Sequence, residues 1–253
     1  MPTLGARDVQ AAADYYRDAL GFECPAGVIP GLGDEPPVYA VLRRSGAELH
    51  VQIRRHAIWG DDRSDVERSV YFYVNDVDAL HEEFAARGAK IFQAPKQMPY
   101  GLRELVIKDP EGHRVAFGVD PYQRDLSAWE ASPVLGTRDV QATTDWFCER
   151  LGFRCPGGVM QGVGDEPAIY AIVLREHAGI HLQIRRRPVF PAKREGIEGD
   201  TYVFVDDVNA LCREYSERGD VRIHREPMDE PYGLRDFTVE DPDGHRLAFG
   251  TPL

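Results

Sequence analysis

A chain of 253 residues with 43% hydrophobic content is long enough for two domains with separate cores, and its net charge of −12 repels phosphate backbones and anionic membrane surfaces. Nucleic acid is thereby excluded as a partner, and the lack of any apolar run of about 18 residues excludes a helical membrane span. No basic segment backed by an apolar run follows Met1, and Cys24, Cys148, Cys155 and Cys212 form no CxxC pair, so a cytoplasmic protein with reduced thiols is expected.

Asp8 is a candidate N-cap for a helix carrying Val9, Ala13, Tyr16 and Leu20 on one stripe, and Gly21 is its stop signal. Strand-like runs follow near Phe22, at 38–42 and at 48–53, separated by a Gly- and Pro-rich loop at 30–37. A further run, with Ser69, Tyr71 and Tyr73 alternating, precedes a second helix opened by Asp76, lined by Val77, Leu80 and Phe84 and closed by Gly88. Runs at 90–92, 103–107 and 113–117 complete this stretch. Asp109-Pro110-Glu111-Gly112 has the composition of a type I turn joining the last two. Residues 121–131, with Pro121, read as a linker.

The chain then repeats itself. Residues 2–10 return as 133–141 at an offset of 131 with seven of nine residues identical, and 99–118 return as 231–250 at an offset of 132. Helices opened by Asp139 (Val140, Phe147, Leu151, stop at Gly152) and Asp207 (Val208, Leu211, Tyr215, stop at Gly219) follow the same plan. The sequence therefore predicts an α+β protein of four βαβββ units, grouped as domains 1–120 and 132–253.

Arg7-Asp8-Val9 before a helix ending in Leu20-Gly21-Phe22, the copies Arg138-Asp139-Val140 and Leu151-Gly152-Phe153, and the two Asp-Pro-Glu/Asp-Gly-His turns together resemble the vicinal oxygen chelate superfamily. That superfamily includes glyoxalase I, fosfomycin-resistance proteins, extradiol dioxygenases and bleomycin-resistance proteins. The Tyr-Gly-Leu-Arg-Glu/Asp segments at 100–104 and 232–236 look like its bleomycin-resistance branch. The resemblance implies two tandem domains whose curled mixed sheets surround bowl-shaped clefts that hold ligands. It also implies that metal-dependent members place His, Gln or Glu ligands on the first and last strands of the units. By motif, those positions fall here on Met1, Ser132, Ser69, Asp200, Ala116 and Ala248, with His50 and His181 on the fourth strand. A divalent ion needs three or four converging donors. Alanines at both glutamate positions leave too few, so neither a metal nor another cofactor is expected.

Strand alternation predicts the remaining lining. His50, Gln52 and Arg54 share one face, as do His181, Gln183 and Arg185. Tyr71 and Tyr73 correspond to Tyr202 and Phe204. Trp59, Tyr100, Arg103, Tyr232 and Arg235 complete the candidate ligand-binding set. Each has a structural alternative: the histidines as hydrogen-bonded strand residues, the tyrosines as sheet filling, and Arg103 and Arg235 as partners of nearby acids rather than clamps. His113 and His245 are expected outside the bowls. No Gly-x-Ser-x-Gly elbow, phosphate loop or dinucleotide fingerprint occurs.

An aromatic, polar interior with no metal suits metal-independent sequestration of a small aromatic compound, as the bleomycin-resistance resemblance implies. The alternatives are a metal-dependent enzyme of the glyoxalase or dioxygenase kind, and a metal-free enzyme using His50, His181 or tyrosines as acid and base. The only partner expected is the small-molecule ligand, with the tandem chain serving as an intramolecular pseudo-dimer that can act as a monomer.

Overall fold

The computed structural model describes residues 1–31, 33, 35–54, 68–98, 101–119, 127–185 and 199–253. Contacts divide the chain into two compact units, Met1–Ser132 and Pro133–Leu253.

The first half of the first unit runs β1 (Thr3–Ala6), α1 (Val9–Leu20), β2 (Val28–Ile29), β3 (Tyr39–Arg44) and β4 (Ala47–Ile53). Its strands lie in the order β1-β4-β3-β2, with β1 parallel to β4 and the other pairs antiparallel. The second half runs β5 (Val70–Val74), α2 (Val77–Ala86), β6 (Ile91–Gln97), β7 (Arg103–Lys108) and β8 (Arg114–Val119). Here β5 pairs with β8 in parallel, and β7 lies antiparallel between β8 and β6. Pro95 is accommodated in β6 because the ladder is irregular between Gln93 and Lys96.

The second unit repeats this plan with β9 (Glu130–Thr137), α3 (Val140–Leu151), β10 (Tyr170–Arg175), β11 (Ala178–Ile184), β12 (Thr201–Phe204), α4 (Val208–Arg218), β13 (Arg222–Asp229), β14 (Leu234–Glu240) and β15 (Arg246–Pro252). In it β9 pairs with β11 in parallel and β11 with β10 antiparallel, while the other strands lie in the order β12-β15-β14-β13. The tandem α+β architecture expected from the repeat is present. Two details differ from the sequence reading. The run near Phe22 is only a single bridge, Glu23 to Arg43, and strand β9 already includes Glu130 and Ala131 of the stretch read as linker.

All four helices start as their sequences dictate. The carboxylates of Asp8, Asp139 and Asp207 accept hydrogen bonds from Ala11, Ala142 and Ala210 at 2.9, 2.9 and 2.8 Å, and Asp76 accepts two at 3.0 Å. Gly21 (φ 66°) and Gly152 (φ 70°) end α1 and α3 in the left-handed conformation that glycine adopts without steric penalty.

Alternation then sorts the strands. Leu49 and Val51 of β4, Val70, Phe72 and Val74 of β5, Leu105 and Ile107 of β7, and Val115 and Phe117 of β8 enter one core with Val9, Tyr16, Leu20, Leu80 and Phe84 of the helices. Each helix thus packs on the strands of its own half-unit, leaving the opposite sheet faces to the polar residues. The turns close as type I, Gly112 donating to Asp109 O and Gly244 to Asp241 O, each at 3.0 Å. The histidines after them are buried tethers: the His113 and His245 imidazoles bond the Gly5 and Gly136 carbonyls at 2.7 and 2.8 Å, tying the last turn of each unit to its first strand.

Candidate functional site

The side chains that hydrophobic packing excludes from the cores define the candidate site. In β4, the inward turn of Leu49 and Val51 sends Glu48, His50 and Gln52 to the face away from the helices. His50 is buried there between two partners, with Nδ1 at 2.5 Å from the Tyr39 hydroxyl and Nε2 at 2.7 Å from Glu48 Oε1. The hydrogen bond from His50, reinforced by Arg43 at 2.8 Å, outweighs partial burial and holds the Glu48 carboxyl at about 2. A carboxylate can only accept, so the His50 Nε2–H donates to Glu48, and Nδ1 faces the Tyr39 hydroxyl. Arg54 lies over Gly5, where an added Cβ would come 2.2 Å from its Cδ.

The second half-unit presents Tyr71 and Tyr73 on its corresponding face, ring centroids 4.8 Å apart. The Tyr71 hydroxyl donates to Glu104 Oε1 at 2.9 Å, and Glu104 is almost wholly buried. To reach it, the phenol crosses the next strand at Gly118, where any Cβ would sit 1.7 Å from the hydroxyl.

The second unit repeats both devices with changes. The Tyr170 hydroxyl meets His181 Nδ1 at 2.5 Å, but Gly179 stands where Glu48 stands in the first unit. Burial alone pushes the His181 imidazole down to about 3, which keeps it neutral. Tyr202 donates to Asp236 Oδ2 at 3.2 Å, crossing Gly250 as Tyr71 crosses Gly118, and its ring meets Phe204 edge-on at 5.3 Å. Asp236 also accepts from the Tyr232 hydroxyl at 2.8 Å and pairs with Arg225, which bridges to Glu230.

Not all residues singled out in the sequence share these faces. Arg103 and Arg235 stand on the helix-facing side of β7 and β14, where Arg103 forms a two-pronged pair with Asp78 at 2.8 and 2.7 Å and Arg235 binds Asp229 at 2.5 Å and Asn209 at 3.2 Å. Gln52 and Gln183 lie in register with Tyr39 and Tyr170, and Arg54 and Arg185 are buried just beyond their strands. Trp59 and Tyr100 lie outside the described residues. Sequence reading missed Tyr39, Glu48, Glu104 and their counterparts Tyr170 and Asp236. Their signal was parity: Glu48 shares the phase of His50, and Glu104 and Asp236 are acids on the strand face opposite Leu105 and Ile107, and Phe237 and Val239.

The donor set does not fit a divalent ion where the family resemblance would put one. Ala116 and Ala248 stand in register beside Tyr71 and Tyr202 and offer only methyl groups. His50 is already engaged on both nitrogens. Among the described residues no three His, Cys, Asp or Glu side chains are grouped so as to hold a metal.

Comparison with known proteins agrees with this architecture. The chain is 26% identical over 267 aligned positions to the anthracycline biosynthesis protein DnrV of Streptomyces peucetius, an alignment covering 95% of this chain and 88% of that protein. DauV of Streptomyces sp. strain C5, also called an anthracycline biosynthesis protein, matches to the same extent, 26% over 95% and 88%. Among solved structures, glyoxalase I from Zea mays superposes with a TM-score of 0.67 at 16% identity, covering 99% of this chain and 90% of that one. A putative dioxygenase from Bacillus subtilis gives a TM-score of 0.64 at 12% identity over 99% and 84%. The Glyoxalase/Bleomycin resistance protein/Dioxygenase superfamily matches twice, at residues 2–117 and 131–249, and with the duplicated βαβββ pairs this makes the chain a tandem member of that superfamily.

Proposed function

We propose that the chain binds a planar, multi-ring aromatic compound without a metal, shielding it from its surroundings rather than transforming it. The supporting observation is the pair of aromatic faces, Tyr71 with Tyr73 and Tyr202 with Phe204, backed by the buried acids Glu104 and Asp236 and by alanines where a metal enzyme needs carboxylates. Rings offer stacking surface, and anchored hydroxyls orient them with little residual freedom. Two relatives bear the name of anthracycline biosynthesis proteins, which makes fused-ring polyketides the first compounds to test. His50, Gln52, Arg54, His181, Gln183 and Arg185 supply the polar lining in this reading, while Arg103 and Arg235 belong to the scaffold. The chain is proposed to work in the cytoplasm as a monomeric pseudo-dimer; no helix among the described residues is long and apolar enough to cross a membrane.

Titrating the protein with an anthracycline while following quenching of tryptophan fluorescence should show saturable binding, with the compound recovered unchanged. Replacing Tyr73 or Tyr202 by Ala should weaken binding about tenfold, the value of one stacked ring. Unchanged affinity in both variants would remove the aromatic faces from the site.

One observation favours a second reading. The Tyr39–His50–Glu48 chain has the order of an acid-base relay, in which Glu48 orients the imidazole and His50 takes the phenolic proton. Chemical conversion of the bound compound, abolished by His50→Ala, would establish an enzyme instead of a binder.

A further inference from the structure

The two units differ where the first helix of each doubles back. At the offset of 131 that returns residues 2–10 as 133–141, Cys155 stands where the first unit has Cys24, but Cys148 stands where it has Arg17. The second unit therefore holds two thiols at a place where the first holds a thiol and a guanidinium.

The backbone brings these positions together. Helix α3 ends at Leu151, Gly152 reverses the chain in the left-handed conformation, and the Phe153 N–H closes the reversal on the Phe147 carbonyl at 3.1 Å. The extended segment then runs back along the helix with Phe153 buried, Arg154 exposed and Cys155 turned inward again, packed against the core. Cys148, in the last turn of α3, lies beside it. Burial pushes the Cys148 thiol up, the neighbouring Cys155 thiol adds to the rise, and the Cys155 backbone N–H, hydrogen-bonded to the Cys148 sulfur, opposes it.

The first unit shows the same juxtaposition with different chemistry. Burial raises the Cys24 thiol and the Arg17 guanidinium draws it down, so positions 17 and 24 are neighbours as 148 and 155 are. The next contact also corresponds, Cys24 with the Val41 backbone and Cys155 with that of Ile172. Cys148 and Cys155 are free thiols and both are partly exposed, whereas Cys212 is buried. The Cys155 thiol donates to the Gly158 carbonyl at 3.2 Å, a weak bond that rotation about Cα–Cβ gives up in turning the sulfur toward Cys148.

We infer that the second unit carries an oxidation site, the Cys148 and Cys155 pair, which hydrogen peroxide closes to a disulfide across the end of α3. One thiolate attacks a peroxide oxygen and becomes a sulfenic acid, and the hydroxide that leaves takes up the released proton. The second thiol displaces the sulfenic hydroxyl, which departs as water with that thiol's proton. Two electrons pass from the sulfurs to the peroxide, which ends as two waters. Arg17 denies the first unit this bond. The inference does not rest on the tyrosine faces.

The test uses full-length protein and a small excess of hydrogen peroxide at pH 8, where the raised thiols begin to ionise. Two of the four thiols should be lost, counted after unfolding in urea, and recovered with dithiothreitol. Trypsin cuts after Arg150 and Arg154, so the unreduced digest should contain the Cys148 and Cys155 peptides joined by one disulfide. The oxidised protein should melt about 5 °C higher, a gain absent from Cys155→Ser. Arg17→Cys should create the matching pair with Cys24, and the same treatment should then remove four thiols of five. An unlinked digest, a disulfide between two chains, an unchanged melting temperature, or an Arg17→Cys protein with native circular dichroism that still loses only two thiols would each overturn the inference.

Discussion

Two buried imidazoles in matching strands have different residues beside them, and burial sets the chemistry of one. His50 and His181 both bond a tyrosine hydroxyl through Nδ1 at 2.5 Å, and His50 Nε2 also donates to Glu48 at 2.7 Å. His181 has Gly179 in that place, and desolvation lowers it from 6.5 to about 3. The sign of the consequence is fixed by linkage. The unfolded chain protonates His181 below about pH 6.5 while the folded protein resists until about 3, so the neutral-ring contribution to stability is complete above 6.5 and is lost as pH falls through that window. Urea-unfolding free energies measured from pH 7 to 4 should therefore fall less steeply for His181→Asn than for wild type, by a slope difference of the order of 1 kcal/mol per pH unit. Parallel curves would show that the ring is solvated.

At the scale of elements, the tyrosine-to-acid hydrogen bonds depend on how closely paired strands allow a phenol to cross. Tyr71 on β5 reaches Glu104 on β7 only by passing over β8 at Gly118, and Tyr202 on β12 reaches Asp236 on β14 over Gly250 of β15. These glycines have no positive φ; the requirement is space. Gly118→Ala should cost about 1 to 3 kcal/mol as the ring is driven from its position, read as a shift of the denaturation midpoint with unchanged slope. Tyr71→Ala in the same chain should make the alanine nearly harmless. Equal costs in both backgrounds would mean that the ring and Gly118 do not meet.

For the molecule as a whole, duplication has produced two units with the same frame and different contents. The frame is common because the capped helices and apolar strand faces recur, each copy enclosing its own core. The contents differ where packing is indifferent: Glu48 against Gly179, and Tyr73 against Phe204. Alanines at both final-strand positions lead to one expectation for the whole protein. Extensive dialysis against a chelator should leave affinity for an anthracycline unchanged within about twofold, since no term in binding comes from a bound ion. A large loss, restored by one divalent metal, would require donors outside the described residues.

Much of this was already present in the one-dimensional text. The two copies, the four Asp-capped helices, the alternation that divides Val70, Phe72 and Val74 from Tyr71 and Tyr73, and the type I turns before His113 and His245 all follow from local rules, because caps, turns and strand parity act over a few residues. Contacts across long separations were decided by the folded structure alone. Arg103 could equally have clamped a ligand or paired with an acid until α2 brought Asp78 to within 2.7 Å. Glu104 was the last residue of a family motif with no assigned partner until Tyr71, 33 positions earlier, was laid across Gly118 onto it. Trp129 acquired its role only when the sheets delivered Phe22, Phe72 and Phe117 around it. Such pairings depend on which strands lie side by side, and that is settled by the packing of the core as a whole rather than by the preferences of any short segment.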